Sequence, residues 1–167
     1  MRERERNRVA SYGHVFDFFL EQADDPASRV AEEALRTCRE MCGTAYTIKL
    51  CPRPCCGWPA SHASHLERVV HLVTHEKLDG EWRVRDARSI AISLAHEIGH
   101  ALDPLTEDDL KTCESDPGTT ARRREREKTA WANARTMVER AGVWIWMEST
   151  FVDARAYALG KLAEPGT

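Results

Sequence analysis

Tyr12, Val15, Phe16, Phe19 and Leu20 recur at the three-to-four-residue spacing of an amphipathic helix, and Asp24-Asp25-Pro26 ends that register. Pro26 suits a first helical turn. A second helix is expected from there to about Cys42, with Val30, Ala34, Leu35 and Cys38 on its apolar side and Gly43 just past its end. Thr44 to Leu50 is rich in β-branched and aromatic residues and predicts a strand, as does Leu66 to Thr74. Between them, Cys51 to Ala60 contains three prolines and a glycine and predicts an irregular Cys/Pro-rich loop. Leu78-Asp79-Gly80-Glu81 predicts a turn, with Trp82 to Val84 a short strand beyond it. The run Ile90 to Ala95 then opens a buried helix that continues to Asp103, where Pro104 stops it. Residues 104 to 120 are polar, contain Pro117-Gly118 and predict an irregular connection. Helix resumes at about Ala121, and a last one is expected from Ser149 to Leu162, where Phe151, Ala154, Tyr157, Ala158 and Leu162 repeat suitably. Residues 1–10 alternate Arg and Glu without apolar spacing and are expected to fray.

This order predicts an α+β fold: a small mixed or antiparallel sheet packed on the central helix, with additional N- and C-terminal helices. At 167 residues the chain is expected to form a single domain, 1–167, large enough to bury a real core. Its net charge of -3 carries no global bias towards nucleic acid, and no run approaches the length of a membrane span. Val15 to Leu20 is interrupted by Asp17 and precedes no small-residue cleavage pattern, so a cytoplasmic location is expected. Five of the six cysteines fall between Cys38 and Cys56. In a reducing compartment this spacing leaves two readings: unlinked buried thiols, or a second, structural zinc on Cys38, Cys42, Cys51 and Cys55. His62, His65, His71 and His75 read as surface or substrate-contact residues rather than ligands.

The central helix carries the candidate chemistry, His96-Glu97-Ile98-Gly99-His100. At about 100° per residue, His96 and His100 leave one face about one turn apart and can reach a single tetrahedral metal ion. Glu97 is offset by roughly 60° from His100, placed to act on a water beside the metal without becoming a ligand. Asp103 returns to nearly the face of His96, where it could accept a hydrogen bond from a ligand imidazole, besides ending the helix.

A catalytic zinc commonly takes three protein ligands, and no histidine follows His100. The downstream helix offers Glu125 and Glu127. Ala130, Trp131, Ala134 and Val138 share the face of Glu127, an apolar stripe that should pack inward, whereas Glu125 lies about 160° away among Arg122, Arg124 and Arg126. Glu127 is therefore the candidate third ligand. The alternative is a helix-start glutamate favoured by the macrodipole. The basic run from Arg122 to Lys128 is interleaved with Glu125 and Glu127 and reads as a solvated helix start rather than a nucleic-acid contact.

His-Glu-Ile-Gly-His-Ala-Leu-Asp, followed 27 positions after the second histidine by Glu127-x-x-Ala130-Trp131-x-x-Ala134, resembles the gluzincin pattern. It is similar to the ImmA/IrrE-type metallopeptidases of bacteria, phages and mobile elements, and to the catalytic domain of anthrax lethal factor, over roughly Leu66 to Val138. The resemblance implies a zincin-like fold, zinc on His96, His100 and Glu127, Glu97 as general base, and cleavage of a protein partner such as a repressor or regulator. One departure stands out: lethal factor-like enzymes carry a tyrosine shortly before the ligand glutamate, and Thr119 to Arg124 has none. Tyr157, Tyr46 or an arginine would have to stabilise the transition state. The expected activity is zinc-dependent hydrolysis of a peptide bond in a protein or peptide substrate, with the strand before the metal helix offering its edge to an extended chain. The rivals are a zinc-stabilised pseudo-peptidase that only binds a partner, and a zinc amidohydrolase acting on a non-protein substrate.

Overall fold

The computed structural model of the protein describes residues 12–41, 46–54, 60–103 and 120–161. Within them the order is α1 (Tyr12–Glu21), α2 (Asp25–Met41), β1 (Thr47–Cys51), β2 (His62–Ser64), β3 (Val69–Val73), β4 (His75–Leu78), β5 (Glu81–Val84), α3 (Ala87–Ala101), α4 (Thr120–Arg140) and α5 (Trp144–Gly160). The fold is α+β, and its three-stranded sheet is mixed. The sheet runs β1-β3-β2, with β1 parallel and β2 antiparallel to β3, and β4 and β5 form a separate antiparallel hairpin. Among the described residues no helix is long and apolar enough to cross a membrane.

Ile48, Val70 and Leu72 are wholly buried on one side of the sheet, in one cluster with Ala31, Ala34 and Leu35 of α2 and Ile90, Leu94 and Ile98 of α3. One face of the sheet thus supplies one wall of the core and the helices supply the other, while His71 and Val73 of the central strand are buried on the opposite face. Asp86 caps α3, its carboxylate accepting from the Ser89 backbone N–H at 2.9 Å. Arg88 then fixes the start of α3 to its surroundings: Nε donates to Asp24 at 3.0 Å, and a second nitrogen donates to the Trp146 carbonyl at 2.9 Å.

Several sequence expectations need correction. The strand expected from Leu66 begins at Val69, because residues 65–68 form a turn in which Arg68 takes φ 52° and the Glu67 N–H bonds back to Ser64 Oγ at 3.2 Å. That strand is central in the sheet and has no free edge, since β1 and β2 flank it. Strand β2 was not expected: its three residues are too short and too polar to show an alternation. Cys51 belongs to β1 rather than to the loop after it. Helix α5 starts at Trp144, not Ser149, because Trp144-Ile145-Trp146-Met147 is apolar on every side and gives no periodic contrast. Residues 1–11, Cys42, Cys55, the connection 104–119 and the tail from Leu162 lie outside the described residues.

α3 and α4 meet at Gly99. A Cβ there would overlap the Ala130 carbonyl oxygen and stand 3.1 Å from its carbon and 3.2 Å from the Ala130 Cα, so only a residue without a side chain admits this approach. Asn133 locks the contact, its Nδ2 donating to the Gly99 carbonyl at 3.1 Å. Gly99→Ala should destabilise the protein by about 1–3 kcal/mol, the usual cost of an overpacked contact, read as a lower denaturation midpoint. A variant as stable as the wild type would show that the helices can part without cost.

Candidate metal centre

The Gly99 contact sets Glu127, three residues before Ala130, opposite the paired histidines. Glu127 Oε2 lies 3.1 Å from His96 Nε2 and Oε1 lies 3.2 Å from His100 Nε2, so the two carboxylate oxygens divide the two imidazoles between them. Among the described residues this is the one trio of His, Cys, Asp or Glu whose ligand atoms lie within 4.8 Å of one another. Two imidazoles and one carboxylate are a donor set that suits zinc, with a position left for water or substrate. Ala130, Trp131, Ala134 and Val138 are buried, while Glu125 is exposed and pairs with Lys128.

The other imidazole nitrogen of His96 is also engaged. Its Nδ1 lies 3.3 Å from Glu97 Oε1, and its ring stacks on the Trp131 indole with centroids 4.2 Å apart and planes 22° apart. Glu97 therefore occupies the outer position that the sequence suggested for Asp103, holding the imidazole that faces Glu127 through Nε2. Asp103 does something else. Its Oδ2 accepts from Arg126 Nε at 3.2 Å, and among the described residues neither ligand imidazole donates to it. The helix register explains the change: Asp103 lies past the end of α3, level with the residue that precedes Glu127 on α4.

Arg126 also reaches His65, with its terminal nitrogen 3.4 Å from Nε2, and His65 Nδ1 lies 2.9 Å from the Tyr46 hydroxyl. A guanidinium only donates, so Nε2 accepts and the proton of neutral His65 sits on Nδ1. Burial and then the charges of Arg126 and His100 lower the His65 pKa to about 4, which keeps it neutral. Tyr46, His65 and Arg126 thus form a connected group near His100. Of the two tyrosines singled out in the sequence, Tyr46 belongs to this group and Tyr157 is exposed on α5. No local pattern could have revealed it, because 61 residues separate His65 from Arg126.

Of the four cysteines in the structural-zinc reading, Cys42 and Cys55 lie outside the described residues, and Cys38 and Cys51 are both buried. The Tyr12 hydroxyl donates to the Tyr46 carbonyl at 2.9 Å and lies 3.4 Å from Cys38 Sγ, which puts Cys38 at the start of β1. Cys51 lies at the far end of that strand. Its Sγ lies 3.8 Å from His71 Nδ1. His71 is buried, stacked on His62 with centroids 4.5 Å apart, and is not the surface residue expected.

Comparison with known protein families, with curated proteins and with solved structures finds no match.

The charges of the trio are tightly linked. Burial works against a charged His96, but hydrogen bonds to Glu127 and Glu97 and their charges outweigh it and raise its pKa to about 9. Burial likewise opposes ionised Glu127, yet hydrogen bonds from His100 and His96 hold its pKa well below the usual carboxylate range. Without metal, the raised His96 pKa contributes stability that is complete below about 6.5 and is lost as pH rises through about 9, and the lowered Glu127 pKa contributes stability that is lost as pH falls below about 4.5. Metal must displace the His96 proton, so zinc affinity should rise about tenfold per pH unit towards pH 9 and then level off. Metal-free protein should therefore melt at a lower temperature at pH 9 than at pH 6.5, while zinc-loaded protein does not; parallel melting curves would contradict the pairing.

The two glutamates separate cleanly by experiment. Glu127→Ala should weaken zinc binding by more than about a hundredfold, since a direct ligand counts for more than the outer partners whose loss costs ~10–100-fold. Glu125→Ala should leave binding unchanged and cost at most ~1 kcal/mol of stability. Competition with a chromogenic chelator measures both, and loss of zinc in Glu125→Ala alone would place the third ligand on the wrong face of α4.

Proposed function

We propose that the protein is a zinc-dependent peptidase of the gluzincin kind, acting on a protein or peptide substrate. The observation that carries this reading is the Glu127 carboxylate set across the Nε2 atoms of His96 and His100 from a different helix. A zinc ion held by these three donors would supply Lewis acidity, lowering the pKa of water to ~7 and polarising a substrate carbonyl.

The chain's own residues would do the rest. Glu97, buried beside His96, takes a proton from water and returns it to the leaving amine. To do so its carboxylate must turn from the Nδ1 side of His96 towards the Nε2 side, where Glu127 stands. Arg126, held by Asp103 and His65 beside the trio, is suited to the charge that develops on the carbonyl oxygen. Since β3 is enclosed, the strand edge offered to an extended substrate is the outer side of β2, next to α3.

The engagement of Glu97 with His96 favours a second reading, a zinc-stabilised pseudo-peptidase in which Glu97 only orients a ligand. One variant distinguishes them. Glu97→Gln keeps an oxygen that can accept from Nδ1, so zinc affinity should stay within about tenfold of the wild type. On the peptidase reading hydrolysis should fall at least about a hundredfold, in line with loss of a general base. The measurement compares peptide termini generated in a cell lysate by zinc-loaded wild type and by Glu97→Gln. New termini with both proteins would eliminate Glu97 as the base; none with either would leave the binding role.

A further inference from the structure

We propose that α5 is a self-association surface, pairing antiparallel with α5 of a second copy of the chain. The helix is apolar on both sides. Its inner side buries Met147 and Phe151, the latter edge-on to Trp131 at 5.3 Å, so that side is committed to the core behind the metal centre. The outer side leaves Ile145 77 %, Trp146 53 %, Val152 51 % and Tyr157 67 % exposed, a density of large apolar groups that an isolated surface helix does not need.

The outer side is self-complementary in shape. Ile145, Ser149, Val152, Ala156 and Gly160 lie along its centre at helical spacing, bulky towards the N-terminus and small towards the C-terminus. A Cβ at Gly160 would meet nothing within 4 Å, so the slot beside Ala156 is open. In an antiparallel pair, Ile145 of one copy enters the slot between Ala156 and Gly160 of the other, and Val152 enters the one between Ser149 and Asp153.

The flanks agree on the same register. One carries Trp146 and Tyr157, the other Glu148 and Arg155, and in antiparallel helices each flank faces its own copy. Trp146 opposes Tyr157, and Glu148 opposes Arg155, about a single midpoint between residues 151 and 152 that the two slots also share. Neither Glu148 nor Arg155 has an ion-pair partner among the described residues. A parallel pair would instead set the Glu148 and Arg155 flank against the Trp146 and Tyr157 flank of the other copy, leaving both charges without an opposite charge across the seam. One 17-residue helix pair buries less than the ~1,200–2,000 Å² of a standard stable interface, so the dimer should depend on concentration.

Sedimentation of the full chain over a wide concentration range tests this independently of any peptidase activity. The wild type should pass from monomer to dimer, and Ile145→Glu, at an exposed position that leaves the core intact, should stay monomeric with unchanged circular dichroism. Glu148→Arg and Arg155→Glu should each raise the dimer Kd about tenfold, as two ion pairs become repulsions, and the double variant should return it to within about threefold of the wild type. A wild type that remains monomeric throughout, a dimer indifferent to Ile145→Glu, or single charge variants that the double variant does not rescue would overturn the pairing. A monomer recruited through this face to neutral lipid vesicles would equally overturn it and assign the face to a membrane surface.

Discussion

The backbone of α4 rests on α3 where Gly99 has no side chain, and the His96, His100 and Glu127 trio depends on that contact. Helices with ordinary residues at the crossing keep their axes about 8–10 Å apart. An extra Cβ at Gly99 would push α4 outward at Ala130, one turn from Glu127, and withdraw the carboxylate from both imidazoles. The Asn133 hydrogen bond and the Asp103–Arg126 pair hold the same crossing on either side of Ala130. A site whose ligands come from two helices needs this kind of rigid contact, because a displacement of 1 Å removes a donor from bonding distance.

A buried carboxylate between two imidazoles is costly unless something positive compensates it. In the metal-free protein the compensation is a proton on His96, drawn there by Glu127 on one side and Glu97 on the other. Arg126 has a different arrangement beside the same centre: its charge is met by Asp103, and neutral His65 adds an acceptor without adding charge. Positive charge is thus held on two neighbouring groups by different means, one a proton that can leave and one permanent.

The trio was legible because helix geometry converts sequence spacing directly into direction. Four residues bring His96 and His100 to one face, and the apolar stripe from Ala130 to Val138 identifies which side of α4 turns inward, hence Glu127 over Glu125. Contacts that no helix register dictates were not legible. The Glu97–His96 bond depends on a rotamer rather than a register, and the Tyr46–His65–Arg126 group joins a residue beside β1, a turn and a helix far apart in sequence. For the cysteines, spacing left two readings open, and the described residues add that Cys38 on α2 and Cys51 on β1 are both buried. The start of α5 was hidden by uniform apolarity.

Trp131 lies face to face with one of the proposed ligands, and this has an optical consequence. An imidazolium against an indole face is attracted through the ring quadrupole and quenches its emission, so the stack adds to the affinity of His96 for its proton and reports when that proton leaves. Emission from this indole should brighten as the ring becomes neutral, which gives the protein an intrinsic signal for the charge of the ligand it covers.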